Sequence, residues 1–270
     1  RQGTNGCHAG AYQQLKPLVD ALTLLTIIPV PFAGGRNADP SRFAPLFFPV
    51  VGLLIGVGAA AVFALFDEYL PRNLAAALTV AAIAAVTGAL HIDGLADFFD
   101  GVFGGRDPES QLRIMKQPDI GAFGVAAVVL VLGIHWIALS SLTTSDAWIV
   151  LPLVGLISRT APLVVMAITS YVSSNGLGQS YANLAKPALI VMILLATVVG
   201  AAIGGGLSLS VAIAGLVMAV IVAVIAKRRL AGANGDVYGA SVELVAAVCL
   251  IGAAGIVDAG GIFEPIWTTL

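Results

Sequence analysis

Charge is what this sequence has least of. Only 10% of its 270 residues are Asp, Glu, Lys or Arg, where a soluble domain carries about 25%. With 59% hydrophobic residues and a mean hydropathy of +0.98, the shortage exceeds what a large core alone requires, and an ordinary soluble domain is excluded. Cysteine is nearly absent. Cys7 and Cys249 stand far apart, and the three histidines, His8, His91 and His135, are widely spaced, too few and too scattered for a disulfide framework or a zinc cluster. The net charge of −2 removes bulk attraction to nucleic acid, so no nucleic-acid partner is expected. No polar stretch is long enough to build a soluble domain, and no internal repeat is visible. Residues 1–10, RQGTNGCHAG, lack an apolar run and are set aside as a disordered tail. Residues 11–270 are expected to form a single membrane-embedded domain.

Long apolar runs are what the chain does have. A membrane-spanning helix needs roughly 20 apolar residues. Seven segments approach that length, at about 44–66, 72–90, 121–142, 147–170, 187–205, 208–226 and 239–260. Gly52 and Gly56, and Gly200 and Gly204, have the spacing that lets helix backbones approach closely in lipid. In residues 11–28, Tyr12, Leu15, Leu18, Val19, Leu22, Leu25 and Thr26 recur at helical spacing, and the run stops at Pro29-Val30-Pro31. This segment is expected to be an interfacial helix lying on the lipid surface. The fold class is therefore all-α: a polytopic integral membrane bundle of about seven transmembrane helices plus an N-terminal interfacial helix.

Basic residues orient the chain. If the 91–120 loop is cytoplasmic, then Lys16, Arg36, Arg42, Arg106, Arg113, Lys116, Lys186, Lys227, Arg228 and Arg229 share its side, and Arg72 is left on the other beside Asp67 and Glu68. The asymmetry follows the positive-inside rule. It predicts a multi-pass protein of the cell (inner) membrane, with its active site on the cytoplasmic face and its C-terminus opposite.

The chemistry concentrates after the second apolar run. Asp93, Asp97 and Asp100 are spaced by four and three residues, so a helix would project all three from one face. Three carboxylates together repel at low dielectric, and a divalent cation relieves the cost. Mg²⁺ prefers hard oxygen ligands and keeps waters and substrate phosphates, so the three are expected metal ligands. Arg106, Arg113 and Lys116 can hold phosphate oxygens. Gly94, Gly101, Gly104 and Gly105 would let a substrate approach the backbone. His91 is a base, a metal ligand or a hydrogen-bond donor, and the sequence does not choose. A second cluster, Lys227 to Ala240, brings Asn234 and Asp236 to the same side, and Glu243 follows inside the last span. Arg159 lies deep in a span and needs a partner, either Glu243 or a substrate phosphate.

These residues carry a resemblance. Gly88-Ala89-Leu90-His91-Ile92-Asp93-Gly94-Leu95-Ala96-Asp97, Asp100-Gly101, Gly104-Gly105-Arg106-Asp107, Ile114-Met115-Lys116 and Gly235-Asp236-Val237-Tyr238-Gly239-Ala240 closely resemble the cobalamin synthase family, the adenosylcobinamide-GDP ribazoletransferases. The likeness runs from about Leu22 to about Leu250. The chain departs from the family at Ala231-Gly232-Ala233-Asn234, where a Gly-Gly-x-Thr pattern is usual, and at Gln117-Pro118. The resemblance implies a Mg²⁺-dependent membrane transferase that joins a corrinoid nucleotide to α-ribazole or its 5′-phosphate and releases GMP. Under it, Asp93, Asp97 and Asp100 hold the metal, and His91 or Asp236 takes the hydroxyl proton. Gly94, Gly101, Gly104, Gly105, Arg106, Lys116, Arg159, Asn234 and Glu243 contact substrate. Membrane lipid is an expected partner, and homo-oligomer formation is left open. Two other readings compete: a different diphosphate-using membrane transferase, of CDP-alcohol or prenyl type, and an ion-coupled transporter.

Overall fold

Apolar runs punctuated by proline, glycine and capping residues become helices. The computed structural model describes residues 5–30, 40–173, 177–181 and 184–263. The helices are α1 (Asn5–Leu25), α2 (Phe48–Tyr69, entered through a 3₁₀ turn at Ala44–Phe47), α3 (Arg72–Val86), α4 (Leu90–Gly104), α5 (Pro108–Ile114), α6 (Ala122–Ser140), α7 (Thr144–Ile168), α8 (Lys186–Arg229) and α9 (Gly235–Asp258). Among the described residues no strand forms, and one isolated bridge joins Tyr171 to Ala233. Local chemistry explains several boundaries. Leu70 is extended because Pro71 follows. Reciprocal capping boxes start α5 (Asp107 with Ser110) and α7 (Thr143 with Asp146). α1 begins inside the stretch expected to be a tail. Arg36 and Pro31 lie outside the described residues.

The bundle is built around α7, which is buried along almost its whole length. It packs on α2 through bare backbone: a Cβ at Gly52 would run into the carbonyl of Gly155, and one at Gly56 into that of Leu151. The predicted glycine spacing thus places the closest helix contact.

Among the described residues five helices are long and apolar enough to cross a membrane, six if the bent pair α3 and α4 counts as one; the expected count of seven is not confirmed. Two local features shape the course of these segments. The expected span at 72–90 ends early, because Thr87-Gly88-Ala89 turns the chain with Gly88 at φ 60° and Ala89 at φ 55°, and α4 leaves at 89° to α3. The expected spans at 187–205 and 208–226 both lie within α8, which breaks at Gly204 and Gly205. A straight helix of 44 residues would reach about 66 Å. Instead Ile157 lies against both Gly200 and Gly215, so α8 folds back on itself at the break.

One end of the bundle gathers the polar connections. Ile27 N–H donates to Val86 O (2.8 Å), Arg229 Nη2 to Val102 O (2.8 Å), and Val172 N–H to Ala233 O (3.0 Å). Lys16, Arg42, Arg106, Arg113, Lys116, Lys186 and Lys227–Arg229 sit in or next to these segments. The far end holds Arg72, paired with Asp67 at 3.2 Å, and Thr144, which donates to Asp67 at 2.6 Å.

Candidate active site

Two helix starts meet at the basic end. The turn at Thr87–Ala89 swings α4 across the bundle, and Asn234 caps α9 by accepting from Val237 N–H at 3.1 Å. The two helices touch backbone to backbone: a Cβ on Gly94 would lie 2.9 Å from Asp236 O, and one on Gly239 would lie 3.3 Å from Gly94 Cα and from His91 Cα. The contact brings the first turn of α9 beside the acidic face of α4. Asp97 consequently feels the charge of Asp236 first, then of Asp93 and Asp100. Among the described residues none of Asp93, Asp97 and Asp236 forms a salt bridge. Asp236 takes one hydrogen bond, from Asn234 Nδ2 at 2.7 Å.

A cavity of about 390 Å³ opens beside this cluster. Asp93, Asp236, Asn234, His91 and Lys116 form its polar side. Its other walls are apolar and aromatic: Leu24 and Leu25 from α1, Phe48 from α2, Pro162 and Met166 from α7, and Tyr171, Tyr181 and Tyr238. His91 is buried, and among the described residues its Nδ1 has no hydrogen-bond partner. The sequence had put His91, Asp93, Lys116, Asn234 and Asp236 at a common site, and the structure brings them together. Tyr171, Tyr181 and Ser173 were not foreseen as site residues. They lie in the 169–185 connection, where only its polarity marked it. Burial, with Asp20 nearby, pushes the Tyr181 hydroxyl up to about 12.

Other expected site residues are placed differently. Asp100 is buried and turns to α6, where it accepts from Gly121 N–H at 2.7 Å and Gly124 N–H at 2.9 Å. It acts as a charged cap on that helix's N-terminus and does not border the cavity. The expectation that it shares a metal with Asp93 and Asp97 gives way to this role. Gly101 and Gly105 are covered by α5: Cβ atoms there would meet Met115 Sδ at 2.9 Å and Gln111 Cα at 2.7 Å. Gly104 would meet Ile114 Cδ1 at 3.4 Å. Gly101 and Gly105, with Gly94, serve helix packing, because protein fills the space a substrate would need, whereas Gly104 is exposed. Arg106 is exposed on the turn before α5 and does not line the cavity.

Arg159 and Glu243 lie elsewhere again. Both are buried around a separate internal cavity of about 50 Å³, which they share with His135 and Thr87. Glu243 Oε2 is 3.7 Å from His135 Nδ1, and Arg159 Nη1 donates to Ser158 Oγ at 2.9 Å. Glu243 is near enough to act electrostatically on Arg159. A direct substrate contact for either is not what the geometry shows.

The donor set near the cavity suits a hard cation. Among the described residues no three His, Cys, Asp or Glu side chains are grouped closely enough to hold a metal by themselves. Mg²⁺ requires less, since one or two carboxylates with waters and substrate phosphates suffice. Asp93, Asp97 and Asp236, none of them in a salt bridge among the described residues, offer carboxylate oxygens of that kind.

Comparison with known proteins places the chain in a family. The family model described as cobalamin-5-phosphate synthase matches residues 17–254. An adenosylcobinamide-GDP ribazoletransferase of Chlorobaculum tepidum is 38% identical over 250 residues, covering 88% of this chain and 95% of that protein. Proteins of the same name from Pseudomonas fluorescens and Stutzerimonas stutzeri are 37% and 35% identical, each covering 88% of this chain and 98% and 97% of their own lengths. No solved structure matches. With nearly the whole bundle matched, both carboxylate-bearing helices included, the chain belongs to the cobalamin-5-phosphate synthase family.

Proposed function

We propose that the protein joins adenosylcobinamide-GDP to α-ribazole, or to its 5′-phosphate, and releases GMP. The observation that carries this reading is the meeting of Asp93, Asp97 and Asp236 beside a cavity that also presents Lys116. A ribose hydroxyl that is free in both ribazole forms attacks the phosphorus bonded to the cobinamide, the diphosphate P–O bond breaks, and GMP departs with the electron pair. The hydroxyl proton passes to Asp236 or His91, both of which face the cavity. Lys116 binds phosphate oxygens as a mobile point charge. Asp93, Asp97 and Asp236 would hold Mg²⁺, which when bound neutralises charge on the diphosphate.

The same reading puts the basic end of the bundle in the cytoplasm and the protein in the cell's inner membrane, with its C-terminus outside. The membrane lipid is then its surrounding solvent. The test is turnover by detergent-purified protein given both substrates and Mg²⁺. GMP and a new corrinoid product, both lost in EDTA, are expected. Folded protein that makes neither would return weight to the other diphosphate-using transferases. Counterflow in proteoliposomes would instead favour a transporter.

A further inference from the structure

Two substrates of very different size must meet at one set of carboxylates. Next to a space of about 310 Å³ that shares Tyr171, Tyr181 and Tyr238 but no acidic residue, a cavity of about 390 Å³ borders Asp93 and Asp236. We infer that this cavity seats the ribazole, its flat base lying against Tyr171 and Tyr238, and that the corrinoid stays outside and presents only its diphosphate. The inference rests on the reaction proposed above and assigns the two substrates to different places.

Size argues first. About 390 Å³ falls near the low end of small-molecule sites. It suits a bicyclic base with one sugar. A corrin macrocycle carrying its amide side chains and a nucleotide is several times larger.

Wall chemistry argues second. Tyr171 and Tyr238 stack with ring centroids 6.4 Å apart and planes 27° from parallel. Tyr181 stands edge-on to Phe48 at 6.3 Å. Leu25, Pro162 and Met166 complete an apolar lining. Aromatic faces with apolar surroundings fit a flat heteroaromatic ring, whereas a corrinoid's amide rim would find few partners among them.

Placement argues third. Tyr238 lies two residues beyond Asp236 on the first turn of α9. Tyr171 is tied to the segment before that turn: Val172 N–H donates to Ala233 O at 3.0 Å, and Ala233 N–H to Ser170 O at 2.9 Å. Both rings are therefore fixed to the backbone that carries Asn234 and Asp236. A base held by the rings would have its ribose directed at the carboxylates by geometry alone. The tyrosines are thus specificity and positioning residues for the nucleophile.

The experiment uses the full-length protein in detergent with Mg²⁺. Tyr171→Leu and Tyr238→Leu are compared with Tyr171→Phe and Tyr238→Phe, each checked by size-exclusion chromatography. Steady-state kinetics are run with each substrate varied, and α-ribazole binding is measured by equilibrium dialysis. The Leu variants should raise the ribazole KM roughly ten- to hundred-fold, the Phe variants should recover most of that loss, and the KM for adenosylcobinamide-GDP should move less than about threefold. An active enzyme whose Leu variants leave the ribazole KM unchanged, or raise the corrinoid KM instead, overturns the base site and leaves the reaction standing. Wild-type protein that does not turn over but binds α-ribazole in a tyrosine-dependent manner keeps the site and removes the reaction. Protein that does neither removes both.

Discussion

Among the described residues two groups of ionisable side chains, one buried and one partly exposed, are built on opposite principles. Around Arg159, His135 and Glu243 one guanidinium and one carboxylate are buried together, an imidazole stands 3.7 Å from the carboxylate, and the enclosed space is small. Around Asp93, Asp97 and Asp236 the signs are alike, no salt bridge answers them among the described residues, and a cavity many times larger stands alongside. A closed set of opposite charges is self-sufficient and contributes to structure. A like-charged set next to open space is complete only when a cation and a ligand arrive. Depth and burial alone would have grouped Glu243 with the catalytic carboxylates, and the signs of its neighbours separate it.

That distinction can be broken by mutation. The largest effect is expected at the like-charged set. Asp93→Asn and Asp236→Asn should each lower the transfer rate by about 10²–10³-fold or more, with unchanged elution on size exclusion and an unfolding temperature no lower than wild type, because removing one of several repelling charges relieves strain. Loss of folded protein instead would make these carboxylates structural. Glu243→Ala should show the reverse pattern. Leaving Arg159 buried without its counter-charge should cost about 3–5 kcal/mol, read as a large drop in thermal stability in detergent, while the protein that remains folded keeps most of its turnover. A Glu243→Ala protein of normal stability and no activity would merge the two regions into one site. Asp100→Ala tests the boundary between them. As the cap of α6 it should cost about 1–2 kcal/mol and leave the Mg²⁺ dependence of the rate unchanged; a shift in the Mg²⁺ requirement would return Asp100 to the metal.

Much of this was legible in the sequence. The all-helical membrane class, the one-sided distribution of basic residues, the Gly52 and Gly56 packing seam and the meeting of Asp93 and Asp236 all follow from local patterns: hydropathy, small-residue spacing, and acidic residues emerging from spans. What the patterns could not show depends on neighbours far along the chain. Asp100 has the right helical spacing to join Asp93 and Asp97, but the amides of Gly121 and Gly124 claim it. Gly101 and Gly105 look available to a ligand until α5 folds over them. Tyr171 acquires a role through a bridge to Ala233, 62 positions away by sequence. The course of the spans was hidden for a related reason. Apolar length does not show where three residues such as Thr87-Gly88-Ala89 will turn a helix by 89°.

The seam between Gly94 and Gly239 has a consequence for the timing of catalysis. With no side chain between the two backbones, α4 and α9 have little freedom to slide or part, so the distance between Asp93 and Asp236 is set when the protein folds. The orientational entropy of assembling those groups is spent during folding and need not be found again at each turnover. What substrate binding must still organise is the substrate itself.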